Sequence, residues 1–146
     1  MRDIRVQPGP FDPGAELARL EALGGGAVAS FTGIVRGDGG LAELLLEQYP
    51  AMTGAALDAI VREAEARWPL LGIILIHRIG PLAPGERIVF VGTASSHRAA
   101  ALESTAFLID WLKTRAPFWK RERFADGRGS WVEAKREDDQ AADRWG

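Results

Sequence analysis

The sequence predicts an α+β fold with a mostly antiparallel sheet, a single domain over residues 1–146 whose polar C-terminal tail starts at about 136. Three observations carry this. Apolar runs such as G-I-I-L-I-H-R-I-G and R-I-V-F-V-G-T-A-S follow one another across short turns, as hairpin strands do. Three other segments read as helices, from their caps or from apolar residues at helical spacing. The alternation of strands and helices is too irregular for a doubly wound parallel sheet.

Residues 4–6 form a short first strand. In F-D-P-G-A-E-L-A-R-L-E-A-L, Asp12 caps a helix and Pro13 takes its first position, where a missing N–H costs nothing. The glycines at 24 to 26 end it. A-V-A-S-F-T-G-I-V-R, residues 27–36, is rich in small and β-favouring residues and reads as a strand. R-G-D-G-G is a loop whose glycines let a backbone approach a ligand. L-A-E-L-L-L-E-Q-Y reads as another strand, although its leucines also suit a helix.

Residues 53–68 give the clearest helix. Ala56, Leu57, Ile60, Val61, Ala64 and Trp68 recur at its period, with Thr53 as the expected cap and Pro69 as the stop. G-I-I-L-I-H-R-I-G is then a buried-type strand, P-L-A-P-G-E a turn, and R-I-V-F-V-G-T-A-S the hairpin partner. A long helix is predicted to start after Ser95 or Ser96. Its expected buried side is Ala101, Leu102, Thr105, Leu108, Ile109 and Leu112, with Glu103 and Asp110 opposite. Pro117 bars Ala116 from helical geometry and ends it. Strands at 118–124 and 130–135 follow, joined by a turn containing Asp126 and Gly127.

Composition narrows the function. The chain is 47% hydrophobic and 26% charged, as an ordinary single-core globular protein is. A general nucleic-acid binder usually carries a basic surplus, because phosphate neutralisation supplies its affinity. Here the formal net charge is −2, so a bound anion is expected to be small and local, with no nucleic-acid partner. The absence of cysteine removes a disulfide framework, a thiolate zinc site and a thiol nucleophile. With two histidines, His77 and His97, a His-rich metal site is not expected either. No apolar run approaches the roughly 20 residues of a membrane span, and M-R-D-I-R-V lacks the apolar stretch of a signal peptide. The expected location is the cytoplasm, with no membrane contact.

Several residues are candidates for chemistry. In S-S-H-R, the serines suit a helix N-cap, an ordinary structural role. Yet His97 and Arg98 then fall in the first turn, where cations oppose the helix dipole. Free N–H groups, an imidazole and a guanidinium together make a phosphate site. Arg36 closes a strand before the glycine loop. Such arginines are usually solvated, and a functional role gains weight if that strand end lies near residue 97. L-K-T-R-A-P-F-W-K-R-E, residues 112–122, concentrates cations around adjacent aromatics. Lys113 and Arg115 suit a helix C-terminus. In a strand, Phe118, Lys120, Glu122 and Phe124 share one face, and Trp119, Arg121 and Arg123 the other. Neither face is cleanly apolar. Two readings stand: a projecting hairpin, or an aromatic pocket with Lys113 and Lys120 at its rim. Two nearby ammonium groups lower each other's pKa, which suits a lysine to acid/base or nucleophilic work. His77, mid-strand among isoleucines, reads as structural. Glu137, Asp138 and Asp139 read as a solvated tail. The residues alone thus suggest a pocket for a phosphorylated, flat ligand. A non-catalytic binding module with Phe118 and Trp119 as a stacking platform is the competing reading.

F-T-G-I-V-R, L-E-Q-Y-P-A-M, H-R-I-G-P-L, G-E-R-I-V-F-V-G-T-A-S-S-H-R, D-W-L-K-T-R-A-P-F-W-K-R-E and W-V-E-A-K closely resemble the large, catalytic subunit of molybdopterin synthase. The resemblance runs from about residue 4 to Trp145. It implies an α/β-hammerhead-like fold with an added antiparallel subdomain. It also implies a sulfurtransferase that inserts two sulfurs into cyclic pyranopterin monophosphate to make the dithiolene of molybdopterin, with no cofactor. The sulfur would arrive as a thiocarboxylate on the Gly-Gly tail of a small ubiquitin-like partner, in a heterotetramer built on a homodimer. That the sulfur donor lies on another chain is consistent with the lack of cysteine. By the same resemblance, Lys120 attacks or does acid/base work at the thiocarboxylate or acyl intermediate, while Lys113 assists proton transfer and holds the pterin. Arg36 with the backbone of Ile34 and Val35, and His97 with Arg98, match substrate-binding positions. Arg121 and Glu122 extend that set, and Phe31 would be a pocket wall. The family's site borrows from the neighbouring protomer. Lys135 stands where relatives often carry arginine, which keeps the charge without the bidentate fork. The segment after Arg36 also looks shorter than in many relatives. A pterin- or partner-binding homologue without catalysis is the alternative within this resemblance.

Overall fold

The structure, a computed structural model, describes residues 1–131 and 144–145. In chain order its elements begin with β1 (Arg2–Gln7), α1 (Pro13–Glu21), β2 (Ala27–Ile34), β3 (Leu41–Gln48) and α2 (Pro50–Arg67). They continue with β4 (Leu70–Arg78), β5 (Gly80–Leu82), β6 (Arg87–Ser95), α3 (Arg98–Thr114), β7 (Phe118–Phe124) and β8 (Gly129–Trp131). The fold is α+β. Two four-stranded sheets form, ordered β1-β4-β6-β2 and β5-β3-β7-β8. Only β1 and β4 pair in parallel among the described strands.

β4 is apolar along almost its whole length because both of its faces are covered. Ile73 and Leu75 join Leu57, Val61 and Leu108 beneath α2 and α3. Ile74 and Ile76 point the other way, to Leu20 of α1 and Phe11. Gly92 of β6 makes room for α1, since a Cβ there would sit 2.6 Å from Leu20 Cδ1. The period of two puts His77 on the Ile73 and Leu75 face.

Asp12 caps α1 as expected, accepting the Gly14 N–H at 3.0 Å. α2 starts earlier than its periodicity suggests. Pro50 supplies the first helical residue, and the Thr53 N–H already makes a helical bond to Tyr49 O at 2.8 Å. Thr53 is therefore not the cap. It is fully buried and its hydroxyl donates to Pro117 O at 3.2 Å. α3 has His97, not a serine, at its N-cap position. The Ser95 hydroxyl, ahead of that position, donates to Pro69 O at 2.7 Å and accepts the His97 N–H at 3.4 Å. Leu102, expected inside, is 62% exposed. The inward face carries Thr105, as expected, and also Ser104, because Thr93 of β6 satisfies their hydroxyls at 3.0 and 3.1 Å.

Residues 81 and 82, expected as turn, belong to β5, where Leu82 pairs with Leu44 of β3. Gly80 at φ +88° lets the chain leave the first sheet and join the second. β8 is described to Trp131, so the predicted strand beyond it, Lys135 and the acidic run at 137–139 lie outside the described residues. From the tail, Trp145 packs against Trp68 and Phe107.

Candidate active site

A cleft of about 570 Å³ opens where the two sheets meet. That is the size of a small-molecule site. β2 and the turn after it supply Phe31, Arg36 and Asp38. The end of α3 supplies Lys113, β7 supplies Phe118, Lys120 and Glu122, and β4 supplies His77. A second cavity of about 150 Å³ lies behind, between Arg67, Phe107, Trp111 and Trp145. It is the footprint of the Trp145 aromatic cluster and meets none of the candidate residues.

The two lysines reach one cleft because the chain reverses between them. α3 ends as the Arg115 N–H bonds Trp111 O at 2.7 Å, and the Phe118 N–H then bonds Ala116 O at 2.8 Å. Thr53 holds the carbonyl of Pro117 between these points. Strand β7 alternates half-buried and exposed residues along its length. Phe118, Lys120, Glu122 and Phe124 form its inner face, opposite Leu46 and Leu44 of β3. The strand that looked mixed in sequence thus has a cleft side and a solvent side. Arg121 stands on the solvent side with Trp119, away from the cleft.

Arg36 is 68% exposed and pairs with Asp38, Nε to Oδ2 at 3.3 Å. The cleft therefore presents three cations, Arg36, Lys113 and Lys120, against two carboxylates, Asp38 and Glu122. Ile34 and Val35 lie along the same rim. The Val35 N–H already donates to Glu86 O at 2.9 Å, and Val35 O accepts from Gly85 N. Both backbone groups of Val35, expected with those of Ile34 beside Arg36 at the substrate, thus make bonds within the protein.

His97 and Arg98 do not meet Arg36 within one protomer. Ala27 at the start of β2 pairs with Ser95, whereas Ile34 at its end pairs with Arg87. Arg36 is thus separated from residue 97 by the length of that ladder, roughly 25 Å at the rise of a strand. Along α3, His97 and Lys113 are separated by a similar length.

His77, read from the sequence as structural, is buried at the back of the cleft. Its ring stacks on Phe118 with centroids 3.8 Å apart and planes 14° apart. Its Nδ1 lies 2.8 Å from Arg78 O. Burial pushes its pKa down to about 4, the bond to Arg78 O opposes this, and the charges of Lys120 and Lys113 add to the fall. It is a neutral imidazole at physiological pH. No periodicity flags such a residue, because its position in β4 matches that of an apolar one.

Fold and cleft together define an α+β chain with two lysines lining a cleft of small-molecule size. The family model described as MoaE protein matches residues 6–115. The chain belongs to this family. It is 54% identical over 147 residues to the molybdopterin synthase catalytic subunit of Pseudomonas aeruginosa, covering 97% of each chain. It is equally similar to the subunit of that name from Escherichia coli K12, at 54% identity and the same coverage. Its structure superposes on the molybdopterin biosynthesis MoaE protein of Burkholderia ambifaria with a TM-score of 0.85 and 46% identity, covering 100% of this chain and 99% of that one.

Proposed function

We propose that this cleft is the active site of a molybdopterin synthase catalytic subunit, and that Lys120 and Lys113 carry its chemistry. The observation that supports it most is the convergence of these two lysines, from different elements, on a cleft that also holds Arg36 and an aromatic wall. The substrate is cyclic pyranopterin monophosphate, and two sulfurs are inserted to make the dithiolene. They come from the thiocarboxylated Gly-Gly tail of a small ubiquitin-like subunit, so this chain needs no thiol of its own.

Each residue has a physical task. Arg36 offers a planar guanidinium to the phosphate and would exchange Asp38 for it. Phe31 and Phe118 flank the flat pterin. Lys120, on a fixed strand, acts at the thiocarboxylate or the acyl species derived from it. Lys113, at the helix end, moves protons and holds the pterin. Glu122 shares the inner face of β7 and can keep one lysine protonated. His97 and Arg98 join the site from the neighbouring protomer of a homodimer, with one small subunit at each end. The cytoplasm is the compartment this reading implies, and no helix among the described residues is long and apolar enough to cross a membrane.

The test is a single-turnover reaction of this protein with a thiocarboxylated small subunit and the cyclic monophosphate. Dithiolene product supports the reading. A folded, partner-bound protein that yields none supports a binding homologue instead.

A further inference from the structure

We propose that His77 is a positioning residue for Lys120: its imidazole, locked between Arg78 and Phe118, presents Nε2 as the acceptor that the Lys120 ammonium faces. This inference rests on the reading of Lys120 as the reacting lysine. The geometry is specific. A carbonyl oxygen only accepts, so the 2.8 Å contact to Arg78 O places the ring proton on Nδ1. In the neutral ring Nε2 is then a lone-pair acceptor. The ring lines the cleft and is 5% exposed. The bond at Nδ1 is the one the ring makes to the described residues, and Nε2 keeps its lone pair. Phe118 covers one face of the ring, and Lys120 lies two residues further along the same face of β7.

The carbonyl that holds Nδ1 is itself well fixed. The Arg78 guanidinium is buried and donates to Pro8 O at 2.9 Å and to Glu86 at 3.2 Å. The charged groups that share the cleft with the imidazole are Arg36 and Asp38 from the turn after β2, Lys113 from α3, and Lys120 and Glu122 from β7. Among them Lys120 acts on it most strongly and Lys113 next. A protonated His77 would add a fourth cation to Arg36, Lys113 and Lys120. A neutral acceptor does the reverse: it orients an ammonium and stabilises its charged form.

Two variants separate the acceptor from the packing. His77→Phe keeps a ring against Phe118 and removes the acceptor. His77→Gln keeps an acceptor and removes the ring, and His77→Leu replaces His77→Phe should the latter not fold. The first readout is the Lys120 titration, followed by NMR of carbon-13-methylated lysines and assigned with Lys120→Arg. The second is kcat and KM in the complex with the thiocarboxylated small subunit. The expected result is a Lys120 midpoint at lower pH in His77→Phe and substantial recovery in His77→Gln, with kcat in His77→Phe down about tenfold and the pterin KM nearly unchanged, because the amine loses its aim even though more of it is neutral. A Lys120 midpoint and kcat unchanged in folded His77→Phe would overturn the proposal. So would equal losses in both variants with an unmoved midpoint, which would make His77 a packing residue alone. If the wild-type protein makes no dithiolene, the functional reading fails, while the titration still decides whether His77 faces Lys120.

Discussion

Lys120 stands directly opposite Leu46 across the β3–β7 ladder, and Leu46 is 1% exposed. Opposed residues in an antiparallel pair point to the same side, so the lysine rises from a fully packed platform. This limits where its amine can go. Leu46→Ala is expected to cost about 2–5 kcal/mol of stability, the range for a buried leucine truncation. Urea unfolding measures it. A companion variant at exposed Trp119, on the other side of β7, is expected to cost less.

The proposed roles of Arg36 and Arg98, set apart by the β2–β6 ladder, require a site shared between protomers. Lys120→Ala and Arg98→Ala chains are each expected to be inactive as pure homodimers. Refolded together in equal amounts, they should recover about a quarter of wild-type activity, because half of the random dimers are mixed and each mixed dimer keeps one complete site. Activity assays on the mixed and separate preparations check this. No recovery, with mixed dimers present, would place both residues in one protomer's site.

Acid stability should carry the mark of His77. Its folded pKa, about 4, lies below the ordinary imidazole value of 6.5, because the buried ring resists protonation. The unfolded chain therefore binds more protons between those values, and stability falls as pH drops through this window. The loss attributable to His77 is about 3 kcal/mol when the fall is complete. Urea titrations at pH 7 and near pH 4 should show wild type losing more than His77→Gln. An equal loss in both would show that His77 does not control the acid limb.

Much of this architecture is legible in the sequence, for reasons that lie in particular residues. Asp12 and Pro13 write the start of α1 in local chemistry, and the β4–β6 hairpin is plain from two apolar runs around P-L-A-P-G-E. The strand reading of L-A-E-L-L-L-E-Q-Y holds because Leu44 and Leu46 meet a second sheet. What fails is what depends on distant partners. Leu102 faces out while Ser104 is inside, because Thr93, 11 residues away in β6, makes the Ser104 hydroxyl acceptable there. Thr53 is a tether and not a cap because Pro117, far along the chain, needs its hydroxyl. Of the cleft lining, Lys113 and Lys120 could be grouped from the sequence around Pro117, but the place of His77 beside them could not. It comes from stacking on Phe118, a contact across 41 positions that no local pattern encodes.

The most direct measurement is the single-turnover reaction repeated with Lys120→Ala and Lys120→Arg, each in complex with the thiocarboxylated small subunit. Wild-type protein is expected to form dithiolene. Lys120→Ala is expected to lose at least about a hundredfold in rate while keeping its fold and its affinity for the pterin. Lys120→Arg should fare little better, since a guanidinium keeps its proton at any working pH. Near-normal turnover by Lys120→Ala would contradict the account and remove Lys120 from the chemistry.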